Sequence, residues 1–317
     1  MRVEVVRTGE LSGNDIDRWR TIQASNTGLR SPFFAPEFAG AVAAERDDAF
    51  TAVIEQAGRI EGFFPFHRDR DRAGHPIGMR ICDYHGVVSP ESLECGAVEL
   101  LRGCGLQRWD FRCVPVSQRI FDPWQSTITP TASIDLSAGF GHYHDWLTAS
   151  GSQLPIRLVS MRRKAEREVG AVRFTWHAGD PAALRALLEC KSAQYRRTRI
   201  PDVFETQWIA NVIERLHRGR GSGCDGVLSE LRAGDQLMSA HFGICSSTVL
   251  HYWFPCYRIE FARYSPGLML LMEITRNAAA NGISGIDLGF AKAAYKERFA
   301  NAAGAVARGS VVVSGAG

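Results

Sequence analysis

A mixed α/β fold, with helices flanking a mostly antiparallel sheet and the whole unit built twice in tandem, is what this sequence predicts. Three observations carry it. Phe34-Ala-Pro-Glu-Phe38 with Val42 matches Phe204-Glu-Thr-Gln-Trp208 with Val212, each placing large apolar groups at i, i+4 and i+8 on one helical face. Residues 50–68 and 226–244 are alike in turn, each a strand, an Ala-Gly turn and a second strand, the pattern of a β-hairpin. The two matches fall in the same order at offsets of 170 and 176 residues. Thirdly, hairpin strands must be antiparallel, whereas a later strand–helix–strand run favours a parallel pair, so the sheet is mixed.

The elements of the second half follow in order. Residues 140–152 read as a short helix entering a Gly/Ser break, so the boundary is expected near 155, giving domains 1–155 and 156–317. Residues 154–170 form a basic, helix-periodic segment, and 172–178 a strand. Asp180-Pro181 then opens a helix, an N-cap followed by proline at the first helical position. After a helix at 204–218 and the hairpin comes 247–258, a strand rich in β-branched and aromatic residues. Helix 266–281, strand 283–290, helix 291–300 and a final strand 306–314 complete the half.

With 317 residues, 37 Lys+Arg, 34 Asp+Glu and 45% hydrophobic residues, the composition is that of a soluble globular protein of two domains. No run approaches the roughly 18–20 apolar residues of a membrane helix, and the N-terminal residues lack a signal peptide's apolar stretch, so a cytoplasmic protein is expected. Residues 1–155 hold 15 basic and 20 acidic side chains, whereas 156–317 hold 22 and 14. All four lysines (Lys164, Lys191, Lys292 and Lys296) lie in the positive half, which makes it the expected anion-binding half. The eight cysteines show no two-residue pairing, and His142 and His144 lack a third ligand nearby, so reduced thiols and no metal are expected.

Two segments bear chemistry. Ser265-Pro266-Gly267-Leu268-Met269 follows a strand and opens an apolar helix, so free amides of Gly267, Leu268 and Met269 could cradle a phosphate at the positive end of the helix dipole. The plainer reading is that Ser-Pro-Gly simply starts a core helix, and the residues alone leave both open. Asp287 closes a buried apolar strand, where a carboxylate needs a partner or a task. Lys292 and Lys296 are four apart on the helix that follows, with Tyr295 beside them, serving either a ligand or a solvated helix face.

The order YSPGLMLLMEI…ISGIDLGFAKAAYKERF over 264–299 resembles the GNAT-type acyltransferases of the CelD/BcsL family, associated with cellulose and exopolysaccharide biosynthesis. These are similar in turn to the Fem-type aminoacyl transferases, which carry two GNAT-like domains in tandem. KSAQYRRTRIPDVF (191–204) shares the resemblance; in the first half only the layout and segments such as SPFFAPEF do. The resemblance implies acetyl-CoA or another acyl-CoA as donor substrate, without a metal. Its pyrophosphate loop would be Ser265, Pro266, Gly267, Leu268 and Met269, joined by Lys292, with the pantetheine arm beside strand 248–256. The family's R-x-x-G-x-G string is absent there; its literal copy at Arg218–Gly223 closes a helix and reads as a C-cap. Tyr295 would protonate the departing thiolate, and Asp287 would be the base, with His251 or His241 as second choices. Lys191, Gln194, Tyr195 and Lys296 would bind the acceptor, with Tyr84 of the first domain closing the cleft. The acceptor would be an amine or hydroxyl of a saccharide precursor or related small molecule. Two other readings are aminoacyl transfer from charged tRNA and a non-catalytic nucleotide- or partner-binding protein.

Overall fold

The computed structural model describes residues 1–219, 221, 223–290 and 293–313. It divides into two compact units, Met1–Thr131 with Gly304–Gly317, and Ala132–Ala303.

The first unit begins with β1 (Arg2–Arg7), α1 (Gly13–Ser25), α2 (Pro36–Ala43), β2 (Ala49–Gln56), β3 (Arg59–Arg68) and β4 (Ala73–Pro76). It continues through α3 (Ala97–Gly103), β5 (Arg108–Pro115) and most of β6 (Gln125–Asp135). α1 starts where it does because Ser12 and Asp15 form a reciprocal capping box. The β2–β3 hairpin turns at Ala57 (φ 49°) and Gly58 (φ 76°), two left-handed residues in succession that match the twist of the flanking strands. Trp109, Phe111, Phe121, Phe64 and Phe66 make the centre of its core, with Leu100 and Leu101 of α3 against them.

The second unit runs through α4 (Gly139–Ala149), α5 (Leu154–Glu168), β7 (Val172–Thr175), α6 (Pro181–Thr198) and α7 (Gln207–Arg218). Then come β8 (Asp225–Ala233), β9 (Gln236–Cys245), β10 (Val249–Tyr257), α8 (Pro266–Ala280), β11 (Gly285–Asp287) and α9 (Ala294–Phe299). Asp180 caps α6 by accepting the Ala182 amide, with Pro181 at the first helical position. α7 buries Ile209, Val212, Ile213 and Leu216 along one stripe. Each fully buried side chain of this size stabilises the fold by about 1.5–3 kcal/mol.

The two units repeat one topology. In each, a strand and two helices precede an antiparallel hairpin and a third antiparallel strand, and a helix then leads to a parallel strand. β1–β2, β2–β3 and β3–β4 are antiparallel and β4–β5 parallel. β7–β8, β8–β9 and β9–β10 are antiparallel and β10–β11 parallel in the same way. Both hairpins even shift register near the turn, at Ile54/Glu55 and at Leu231/Arg232. The repeated apolar stripe is organised alike in both copies: Phe34 and Phe204 lie in short 3-10 turns (Pro32–Phe34 and Val203–Glu205) just ahead of α2 and α7. Both phenylalanines therefore precede the helices whose apolar stripe they extend, because proline at 36 and the Asp202 turn set the helix starts later.

The final strand, β12 (Ala302–Val312), differs from its expected partner. Rather than extending the second unit's sheet, it pairs antiparallel with β5 of the first unit. The second unit's sheet ends instead on Ala132–Asp135 of β6, antiparallel to β11. No helix among the described residues is long and apolar enough to cross a membrane.

Candidate active site

The site is built where β10 and β11 part. The two strands are parallel neighbours only over Val249↔Gly285, Leu250↔Ile286 and His251↔Asp287. β11 stops there for a local reason. The Asp287 carboxylate accepts the Gly289 amide at 2.6 Å, an Asx-type turn, and Gly289 sits at φ 75°, where a Cβ would be strained. The chain keeps to β6, its antiparallel partner on the other side, Leu288 N donating to the Ala132 carbonyl and Ala132 N to that of Gly289. β10 runs on to Tyr257, with β9 beside it. It also carries a bulge between His251 and Phe254, which re-aims the side chains beyond it.

A cleft of about 350 Å³ opens along this free edge, lined by Tyr252, Tyr257, Gly267, Leu268, Tyr295 and Gln194 among others. Of the residues expected from sequence, Gln194, Ser265, Pro266, Gly267, Leu268 and Tyr295 are brought to this one cavity. Gly267 has open space over its α-carbon: a Cβ there would meet only Tyr257 Cδ1, at 3.8 Å.

The expectation of three free amides needs correction. Ser265 adopts a left-handed conformation (φ 54°, ψ 48°), and its side chain does not cap the helix. Its carbonyl instead accepts the amides of Leu268 (3.1 Å) and Met269 (3.2 Å). Gly267 is left as the open amide of that set. Met269 itself is buried in the core and lines a different cavity. Lys292 lies outside the described residues.

At the base of the parting, His251 Nδ1 stands 3.7 Å from Asp287 Oδ1. His251 is 1% exposed by side chain and Asp287 15%, so the carboxylate keeps the access. Burial pushes the Tyr295 hydroxyl up to about 12, so it keeps its proton across the neutral range. Its ring meets Tyr252 edge-on at 6.3 Å. Lys191 is buried, donates Nζ to the Pro255 carbonyl at 2.8 Å and lies 5.0 Å from the Tyr195 ring centroid. Desolvation lowers its pKa. Gln194 presents a buried Oε1 without a hydrogen-bond partner, the state of a group awaiting a donor. Lys296 is buried, which removes the reading of a solvated helix face for that residue.

Tyr84 belongs to the first unit. The neighbouring His85 is a structural acceptor there, its Nε2 taking the amides of Arg112 (3.0 Å) and Cys113 (3.1 Å). Burial, helped by Arg112, holds its pKa down at about 3.

Tyr252, Tyr257 and Pro255 escaped the sequence reading, because the bulge upsets the strand alternation that would have shown which side chains share a face. Pro255 was legible in principle, since an unpaired strand edge is where a sheet tolerates proline. His241 on β9 is fully buried, stacked on Tyr252 at 4.2 Å, and neither ring nitrogen has a hydrogen-bond partner. Burial first, then the nearness of His251 and Lys191, holds it neutral. Among the described residues no group of three or more His, Cys, Asp or Glu side chains is placed to hold a metal.

Residues 157–297 match the family described as acetyltransferase (GNAT) domain. The matched stretch lies within the second unit and supports an acyltransferase. Among solved structures, the chain is similar to FemX, with a TM-score of 0.62 at 10% identity over 97% of this chain and 96% of that one. It is similar to the C-terminal DUF2156 domain of a protein designated a lysylphosphatidylglycerol synthetase from Agrobacterium fabrum (TM-score 0.58, 14% identity, 96% and 93% covered). A tandem GNAT protein of the clavulanic acid biosynthesis pathway superposes over 100% of both chains, with a TM-score of 0.53 and 12% identity. At these identities the likeness is one of fold. No curated protein matches the chain.

Proposed function

We propose that the second unit transfers an acetyl or other short acyl group from acyl-CoA directly to an amine or hydroxyl acceptor. A saccharide precursor or related small molecule of the kind handled in exopolysaccharide synthesis is the acceptor class we favour, and the cytoplasm, where acyl-CoA is made, is the compartment. The observation that carries this reading is the parting of β10 from β11 beyond His251 and Asp287, with the start of α8 at the same cleft.

The donor's pantetheine would lie against the unpaired edge of β10, and its phosphates near the Gly267 amide and the positive end of α8. The acceptor nitrogen or oxygen attacks the thioester carbonyl, forming the new C–N or C–O bond as the C–S bond breaks. Asp287 takes the acceptor proton, with His251 beside it to orient or share the charge. Tyr295 gives its hydroxyl proton to the departing sulfur and regains one from solvent. Gln194 and Tyr195 bind the acceptor, and Lys191 sets the strand edge they face. The acidic first unit is the non-catalytic copy in this reading.

The test is release of CoA thiol from acetyl-CoA with amino-sugar and sugar acceptors, repeated with charged tRNA as donor. Acetyl-CoA-dependent release that falls at least a hundredfold in Asp287→Asn supports the proposal. Transfer from charged tRNA alone would replace the donor, and an undiminished rate in Asp287→Asn would remove the base.

A further inference from the structure

The outward face of α5 carries a feature the transfer reaction does not use. The helix buries Leu154, Leu158 and Ala165 on one side. On the other side Ile156, Val159, Arg163 and Arg167 recur at i, i+3, i+7 and i+11, one stripe of a 3.6-residue helix. Ile156 is 70% exposed and Val159 51% exposed, so two branched aliphatic side chains stand in water beside the arginines. The charge of the helix is one-sided. Its two acidic residues are already engaged, Glu166 with Arg162 (3.1 Å) and Glu168 with Tyr264 (2.7 Å) and Arg263 (3.3 Å). The exposed Arg157, Arg163 and Arg167 make no ion pair or side-chain hydrogen bond among the described residues. Ile156 and Val159 also form the lip of an apolar groove of about 400 Å³ that runs in to Met269 and Met272.

We infer that this face of α5 docks the protein on an anionic lipid bilayer surface. The arginines meet lipid phosphates while Ile156 and Val159 enter the headgroup–acyl boundary. A basic helix face carrying solvent-exposed aliphatic groups fits the interface of water and hydrocarbon, where both kinds of side chain are satisfied at once. A soluble polyanion would use the arginines and ignore Ile156; a second copy of this chain, equally basic here, would repel. Docking places the acyltransferase where a lipid-linked acceptor is presented, but the inference does not depend on which acyl donor the enzyme uses.

Co-sedimentation of the full chain with vesicles of phosphatidylcholine alone, and with 30% phosphatidylglycerol at roughly 100 mM salt, tests it. Binding is expected only to the anionic vesicles and is expected to fall as salt rises. Each interfacial arginine is worth about fivefold in partitioning, so Arg163→Glu/Arg167→Glu should lower binding by more than about 25-fold. Ile156→Asp should also abolish it. All three positions are exposed, so thermal midpoints and CoA release on a soluble acceptor should stay as in the wild type. Equal binding to both vesicles, wild-type binding by Ile156→Asp, or a dimer in light scattering that Ile156→Asp dissolves would overturn the proposal.

Discussion

Tyr295 is the residue on which the proposed proton traffic is most exposed to test. Burial keeps its hydroxyl protonated to about 12, so it can donate at every working pH. Tyr295→Phe removes the proton and keeps the ring packed beside Tyr252. We expect kcat to fall by about 10²-fold or more, with KM for acetyl-CoA within a few-fold. Steady-state thiol release checks this, and an unchanged kcat would reassign the acid. Gly243 is a second single-residue constraint. A Cβ there would fall 2.6 Å from Cε1 of the buried His241 ring and against the His251 carbonyl. Gly243→Ala should therefore lower unfolding free energy by about 1–3 kcal/mol, read from the urea midpoint at constant slope. Neither His241's burial nor this contact was legible in the sequence, because β9 is buried on both faces beyond its first residue and so carries no alternation to read.

At the scale of elements, β10 and the start of α8 line the cleft, and β11 ends where β10 runs on beside it. Proline after serine, at the end of a strand and before an apolar run, located the helix start at Pro266 correctly. What it did not reveal was the left-handed turn at Ser265, whose carbonyl consumes two of the three amides expected to be open. The remaining one, on Gly267, concentrates the prediction. Gly267→Asp adds a carboxylate where phosphate would sit and meets only Tyr257 at van der Waals distance, so the fold should tolerate it. The thermal midpoint without ligand should match the wild type, while the rise produced by acetyl-CoA disappears. A rise equal to that of the wild type would move the phosphates away from α8. The early end of β11, by contrast, was half legible: Asp287-Leu-Gly289 is a turn signal. That it lets β10 run on beside an open cleft follows only from the pairing.

For the whole molecule, the duplicated apolar stripe and hairpin were visible because each is a local pattern with its own periodicity. Strand partnership is not local. β12 reads as a strand from Val306 onward, but nothing in its alternation says that it belongs with β5, some 200 residues earlier, while the tail of β6 serves β11. A property of both units is their buried neutral histidines. His85 is held at about 3, and His241 is held well below the ordinary range, in both cases chiefly by burial. In the unfolded chain each takes a proton near pH 6.5, so below that pH the unfolded state binds protons that the folded state refuses. Stability is therefore full above pH 6.5 and declines as pH falls toward about 3, by up to roughly 1.4 kcal/mol per pH unit per histidine. Thermal midpoints from pH 7.5 to 4.5 should fall, and His241→Phe should flatten the fall. A flat wild-type profile would contradict the assigned burial. The central claim, that acyl-CoA seats along the free edge of β10 with its phosphates at the start of α8, is tested most directly by calorimetric titration of acetyl-CoA into the wild type and Gly267→Asp. One site per chain in the wild type, lost in the variant, is the result predicted; no binding to the wild type, or equal binding to both, would contradict it.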